Sequence, residues 1–271
     1  MGEPTVLVTG ASSGIGLATV EALAERGARV VAGVRREESA AMVEERMGLL
    51  DLAVTTALLD VTDDGTMAKV IAEHSPDVLV NNAGDAALGE VLELDDDEIR
   101  GQFDVHVFAA VRLIRLAVPH MRGLGEGRIV NVSSLLSGAP LPFTGWYAAA
   151  KAAMHTINDV LRVELEPYGV DVVLVDCGAI DTPAWASAGA DVAGDGDPAS
   201  GPARRRWQGL TRLARPFFGD AALAGRTVAK AALDECPRAV YRTGFGAHAL
   251  ALADLAPSAV RDRVTRSVFD L

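Results

Sequence analysis

Tyr147 and Lys151 stand four residues apart in the stretch GWYAAAKAAMH. Residues at i and i+4 share one face of a helix, so a phenol and an ammonium can point into the same space. The surrounding alanines favour a helix there. A free phenol titrates near pH ~10, too high for proton exchange at neutrality, and a cation one turn away favours the phenolate and lowers that value. The pair is a candidate acid–base couple. Taken alone, it reads equally well as a half-buried tyrosine and a surface lysine on an ordinary helix.

A second group of residues suits a different task. Gly10, Ser12, Ser13, Gly14, Ile15 and Gly16 lie in TGASSGIG, between the apolar run TVLVTG and the amphipathic run GLATVEALAERGA. Glycines where a strand turns into a helix let the chain approach a pyrophosphate, which then sits at the positive end of the helix.

The elements that must position these groups follow from the rest of the chain. Short β-rich runs alternate with helical patterns: RVVAGV, VTTALLDV, PDVLVNNAG, GRIVNVSS, GVDVVLVDCG and RAVYRTG read as further strands. EESAAMVEERMG and DDGTMAKVIAEH read as helices, a long helix is expected from about Asp95 to Met121, and the Tyr147 helix runs to about Glu166. Continuous apolar strands separated by helices imply a parallel sheet covered on both faces. The expected fold class is α/β: a single doubly wound, Rossmann-type domain over residues 1–271 with a parallel seven-stranded sheet. The segment from about 180 to 219 breaks the pattern and is expected to be a substrate lid, because ligands of open α/β sheets bind beyond the carboxyl ends of the strands.

The spacing Gly-x-x-x-Gly-x-Gly resembles the short-chain dehydrogenase/reductase family. Four further stretches carry the likeness: NNAG at Asn81 to Gly84, NVSS with Ser134 thirteen residues before Tyr147, Tyr147-x-x-x-Lys151, and DCGAIDTP after the sixth strand, which is similar to a Pro-Gly-x-x-x-Thr turn. The resemblance spans about residues 5 to 245, in order. It implies that Tyr147 gives a proton to the substrate oxygen in carbonyl reduction, or takes one in alcohol oxidation. It further implies that Lys151 holds the nicotinamide ribose and that Ser134 hydrogen-bonds the substrate oxygen. Asn82, Ala83, Gly84, Gly178, Ile180 and Thr182 are expected at the cofactor, with Asp60 and Val61 flanking the adenine. Leu136, in LLSGAPLPFTGW, and Trp185 are expected at the substrate, and Trp207, Phe217 and Phe218 are further apolar anchors.

Two positions depart from the family pattern. His106 stands in FDVHVFAA where the family usually has an asparagine that kinks the long helix and holds a water next to the lysine. A histidine there is either a relay in its own right, since it titrates near neutrality, or a packed side chain. Cys177 stands where the family often has proline; it is expected to behave as a small core hydrophobe.

The cofactor expectation is NADP(H). NAD-preferring relatives tend to carry an acidic residue at the end of the second strand; this chain has Val34 there, followed by Arg35, which can pair with a 2′-phosphate. The whole is most similar to reductases of bulky ketones, such as hydroxysteroid dehydrogenases and natural-product ketoreductases. The expected function is NADPH-dependent reduction of a bulky, largely apolar ketone. Alternatives are NAD(P)-dependent alcohol oxidation and a cofactor-binding protein with little redox activity.

Composition narrows the partners. A net charge of -12 argues against nucleic acid or an anionic membrane surface. Two cysteines do not make a disulfide framework, and five scattered histidines show no metal spacing, so no metal is expected. The chain opens without a signal-peptide pattern, and no run approaches the roughly 20 apolar residues of a membrane span, so a cytoplasmic protein is expected. The basic run ARRRW reads as a solvated helix face. A homodimer or homotetramer is expected by resemblance, with the apolar text HALALADLAPSAV as a candidate interface.

Overall fold

Seven strands form one parallel sheet in the order β3-β2-β1-β4-β5-β6-β7. They are β1 (Thr5–Thr9), β2 (Arg29–Val34), β3 (Val54–Leu58), β4 (Val78–Asn81), β5 (Gly127–Ser134), β6 (Val170–Cys177) and β7 (Val240–Thr243). The structure is a computed structural model that describes residues 3–185, 187, 192, 201–247 and 256–269. Part of the expected lid, and residues 248–255 of the apolar C-terminal text, lie outside the described residues.

The central strands are buried on both faces, which is why they read as unbroken apolar runs. Alternate residues serve different cores. Val6 and Val8 pack with Val20 and Leu23 of α1 (Gly14–Ala24) and with Val228 of α8 (Ala221–Leu233). Leu7 and Ile129 pack on the opposite face against Met67 of α3 (Asp64–His74), Leu113 of α5 (Ala110–Leu124) and Met154 of α6 (Gly145–Leu165). α2 (Glu37–Leu49) joins the first core through Val43 and Met47.

The long helix expected from Asp95 to Met121 is interrupted. It starts as α4 (Asp96–Phe103), with Asp95 and Glu98 forming a capping box. It then widens into a π-helical segment, Asp104–Ala109, before resuming as α5. Such insertions carry no pattern in the sequence and gather at functional sites. His106 sits inside it.

Helix α8 is anchored by a charge from the sheet. Arg128 on β5 is 2% exposed. Its Nη1 donates toward the carbonyl oxygens of Ala231, Ala232 and Asp234 at 3.3, 3.0 and 2.6 Å, and its Nη2 bonds Asp171 at 3.0 Å. The last carbonyls of a helix lack intrahelical partners and carry the negative end of its dipole, so a buried guanidinium suits both needs. α7 (Gly201–Ala214) and α9 (Ser258–Phe269) lie beyond the C-terminal ends of the strands in sequence and pack on each other through Trp207 and Phe269.

The strand order reverses between β1 and β4: the chain runs outward through β2 and β3, then returns to the other side of β1. Such a switch point opens a crevice at the carboxyl ends of the strands.

Candidate active site

A cleft of about 380 Å³ opens at that switch point. Every cofactor residue expected from the sequence lines it: the glycine turn from Gly10 to Gly16, Arg35, Asp60, Val61, Asn82, Ala83, Gly84, Gly178, Ile180 and Thr182. Ser134, Tyr147, Lys151, His106 and Trp185 line it too. Leu136 does not. It is buried behind Ser134, and its backbone N–H bonds Ser134 Oγ at 3.3 Å, because the chain after β5 curls into a tight turn that aims the side chain inward.

The floor is built from backbone. Thr9 Oγ1 accepts the N–H groups of Asn82 and Ala83, each at 3.0 Å, and Asn82 Nδ2 donates to the Thr9 and Gly10 carbonyls at 2.9 and 3.2 Å. The two loops are thereby locked edge to edge. A Cβ on Gly16 would lie 2.2 Å from the Gly10 carbonyl oxygen and 2.5 Å from Asn82 Nδ2, so no larger residue fits. The first turn of α1 has no side-chain cap and no acidic residue, which leaves its N–H groups and positive dipole end turned to the cleft. These features fit a dinucleotide pyrophosphate. Thr9 was not singled out from the sequence; its place beside Gly10 was the available signal.

Toward the adenosine end, β2 ends in a buried Val34 and an exposed Arg35. Arg36, the second arginine, stands at the N-terminal boundary of α2 without a side-chain capping bond and does not line the cleft. Asp60 accepts hydrogen bonds from Thr62 N and Oγ1 at 2.9 and 2.7 Å, which hold its carboxyl below the usual carboxylate range, with help from Arg35.

At the other end, Ser134 closes β5 while Tyr147 and Lys151 come from the first two turns of α6. The loop between them turns through Phe143, whose φ of 69° lies in the left-handed region. That conformation costs a non-glycine residue energy and is held here by burial of the ring against Trp207. Lys151 is buried and its Nζ donates to the Val132 carbonyl at 3.1 Å. The ammonium stands 5.8 Å from the Tyr147 ring centroid. Burial pushes the Tyr147 phenol up to about 12, a hydrogen bond with Ser134 offsetting part of the rise. Burial also pushes the Lys151 ammonium down to about 8. The lowering expected of Tyr147 from its lysine is therefore outweighed: desolvation dominates both groups.

Residues 4–193 match the short chain dehydrogenase family. The chain belongs to that family. Relatives include the NADPH-dependent 3-dehydrocapnine reductase of Ornithobacterium rhinotracheale, 35% identical over 193 residues that make up 67% of each chain. The 3-amino-tetrahydro-pyrrolizinone reductase of Xenorhabdus hominickii is 35% identical over 192 residues, 68% of this chain and 64% of the relative. Among solved structures, a short chain dehydrogenase from Burkholderia cenocepacia in complex with NADP superimposes with a TM-score of 0.76 at 28% identity, over 97% of each chain. The protein is thus an oxidoreductase acting on alcohol or ketone groups, with a Rossmann-type fold.

Three further features shape the site of this short-chain dehydrogenase. The His106 ring stands edge-on to Tyr147 with centroids 5.4 Å apart, packs on Gly84, and bonds the Asp85 carbonyl through Nε2 at 2.6 Å. Burial, with Lys151 nearby, pushes its pKa down to about 3. The imidazole is neutral at working pH and donates from Nε2, while its buried Nδ1 has no hydrogen-bond partner among the described residues. Cys177 is buried and its thiol is pushed up to about 12, consistent with a core role. The run ARRRW is not wholly solvated. Arg204 is buried, pairs with Glu93, lies 3.8 Å from Glu90, donates to the Val192 carbonyl at 3.2 Å and covers the Phe143 ring at 5.4 Å. A helix face that meets a neighbouring acidic loop is indistinguishable in sequence from one that meets water.

The aromatic anchors divide. Trp185 reaches the cleft; Trp207 is buried behind it at 6.3 Å, and Phe218 meets Trp185 edge-on at 5.7 Å. Phe217 is 65% exposed and stacks on Phe245, away from the cleft lining. Among the described residues no helix is long and apolar enough to cross a membrane, and no cluster of metal-ligating side chains occurs.

Proposed function

We propose that the protein is an NADPH-dependent ketoreductase that reduces a bulky, largely apolar ketone, with Tyr147 as the proton donor. The observation that carries this is the convergence of Ser134, Tyr147 and Lys151 on one end of a cleft whose other end presents Arg35 and no carboxylate at the tip of β2. When bound, the dinucleotide supplies the hydride. The glycine turn and the open N-terminus of α1 hold its pyrophosphate, Arg35 its 2′-phosphate, Asp60 and Val61 its adenine, Asn82 to Gly84 and Gly178 to Thr182 its remaining surfaces, and Lys151 its ribose. Ser134 Oγ orients the substrate carbonyl. Tyr147 Oη gives that oxygen its proton.

Tyr147 is protonated at neutral pH, the form that carbonyl reduction uses as the donor, whereas alcohol oxidation needs it as a base. Two of the proteins compared bear on the cofactor: the Ornithobacterium relative is named NADPH-dependent and the Burkholderia structure holds NADP. The apolar wall of Leu88, Val105 and Trp185 suits a bulky substrate. In this reading the chain is one domain, the segment around 180–219 closes the cleft as a lid, and the protein works in the cytoplasm. The exposed Leu116, Val160 and Val163 on α5 and α6 support assembly into a homodimer or homotetramer.

The test follows NADPH oxidation with a panel of aryl and cyclic ketones, beside thermal stabilisation by NADPH and NADH. NADPH should stabilise the fold more than NADH. Tyr147→Phe should lower turnover by about 10²–10⁴-fold while NADPH still stabilises the protein. Equal turnover in the variant refutes the mechanism.

A further inference from the structure

The cleft contains a charge that proton donation and cofactor binding leave unused. Asp85 follows Gly84, is exposed, and lines the cleft. Its carbonyl is pinned to the π segment by His106 Nε2. Its carboxylate has no hydrogen-bond or ion-pair partner among the described residues, in contrast to Glu90 and Glu93 nearby, which meet Arg204.

The surroundings give this carboxylate its meaning. The other ionisable residues lining the cleft are Arg35 and Asp60 at the adenosine end, Tyr147 and Cys177, which are protonated, His106, which is neutral, and Lys151, which is buried and bonded to the Val132 carbonyl. The cleft that Asp85 lines also has apolar residues in its wall, among them Ala86, Leu88, Pro183 and Trp185. A lone carboxylate on a low-dielectric wall attracts a cation and repels an anion more strongly than it would in open water. The face of an indole attracts an ammonium as well. The net charge of -12 adds a field of the same sign.

We propose that the substrate is a ketone bearing an ammonium group near its carbonyl, and that Asp85 is the counter-ion that binds and orients it. This rests on the ketoreductase reading. The π segment is then part of the specificity device: by holding the Asp85 carbonyl, His106 sets where the carboxylate stands relative to Tyr147.

The experiment compares two ketones of the same shape, a β-dimethylamino ketone and its isopropyl counterpart, with NADPH and the full chain. The wild type should favour the cationic ketone by about fivefold in kcat/KM, chiefly through KM, which is the upper range for a partly exposed ion pair. Added salt should shrink the preference. Asp85→Asn keeps the carbonyl that His106 needs and should bring the ratio near one; Asp85→Glu should keep a preference. Stabilisation by NADPH shows that each variant is folded. Turnover of both ketones with the same ratio in wild type and Asp85→Asn overturns the proposal and leaves the ketoreductase reading standing. Absence of NADPH oxidation with either ketone overturns both.

Discussion

The two ends of the cleft are held together by different kinds of matter. The cofactor end is closely packed main chain: the Thr9 and Asn82 side chains tie two loops to each other through backbone groups, and Gly16 leaves no room for a side chain. The substrate end is side chain: Phe143, Trp185, Trp207 and Phe218 lean on one another, and Arg204 bridges α7 to an acidic loop. Backbone geometry tolerates few alternatives, whereas an aromatic cluster can be rebuilt from many residues. The difference fits a fold that keeps one kind of dinucleotide cradle while the substrate end varies.

The largest expected effect tests the side-chain end. Trp207→Ala removes the most central ring of that cluster, and a buried tryptophan lost without replacement costs about 3–5 kcal/mol. The loss should appear as faster hydrogen exchange and proteolysis across α7, with a higher KM for ketone and unchanged stabilisation by NADPH. A matching loss of NADPH binding would mean that the two ends are one cooperative unit.

The backbone end is tested by Gly16→Ala. The added methyl has no free volume beside Gly10 and Asn82, and overpacking of this kind costs about 1–3 kcal/mol. NADPH binding should fall sharply while the proteolysis pattern of α7 stays as in the wild type. Retained NADPH affinity would show that the glycine turn is less confining than its contacts imply.

The effect that is smallest at neutral pH, and grows only in acid, concerns the junction of the two ends, His106. Its pKa is about 3 in the folded chain against an ordinary 6.5. Between those values the unfolded chain binds a proton that the folded chain does not, so this group's contribution to stability is lost as pH falls from 6.5 toward 3. The slope is at most about 1.4 kcal/mol per pH unit. Denaturation of His106→Asn across that window should show a shallower acid loss than the wild type; an identical profile would place the acid sensitivity elsewhere.

What could be read from the sequence follows the same division. Strands β1 and β5 were legible because burial on both faces leaves unbroken apolar runs, and the glycine turn because only glycine serves there. The spacing of Tyr147 and Lys151 reported a helix face directly. The π segment was not legible, since one extra residue per turn leaves the apolar period nearly unchanged over Asp104–Ala109. Nor was the reversal of the Tyr147 pKa, because desolvation is a property of the assembled site rather than of neighbours in the chain. Leu136 and Arg204 were misjudged for a related reason: a loop's apolar residue or a helix's cation takes its role from whatever packs against it. Asp85 gave no signal at all in text, being one acid among 37 acidic residues.

Arg128 bears on how the molecule withstands changes of solvent. The polar contacts of Asp60, His106 and Lys151 in the cleft involve groups that gain or lose protons somewhere between acid and alkali. A guanidinium does not; it keeps its charge throughout the range in which proteins survive. The grip of β5 on the carbonyls at the end of α8 should therefore outlast the chemistry it supports. As pH rises, Lys151 loses its charge at about 8 and Tyr147 its proton only in strong alkali, so activity disappears first, and a catalytically silent but assembled scaffold should regain activity once neutrality is restored.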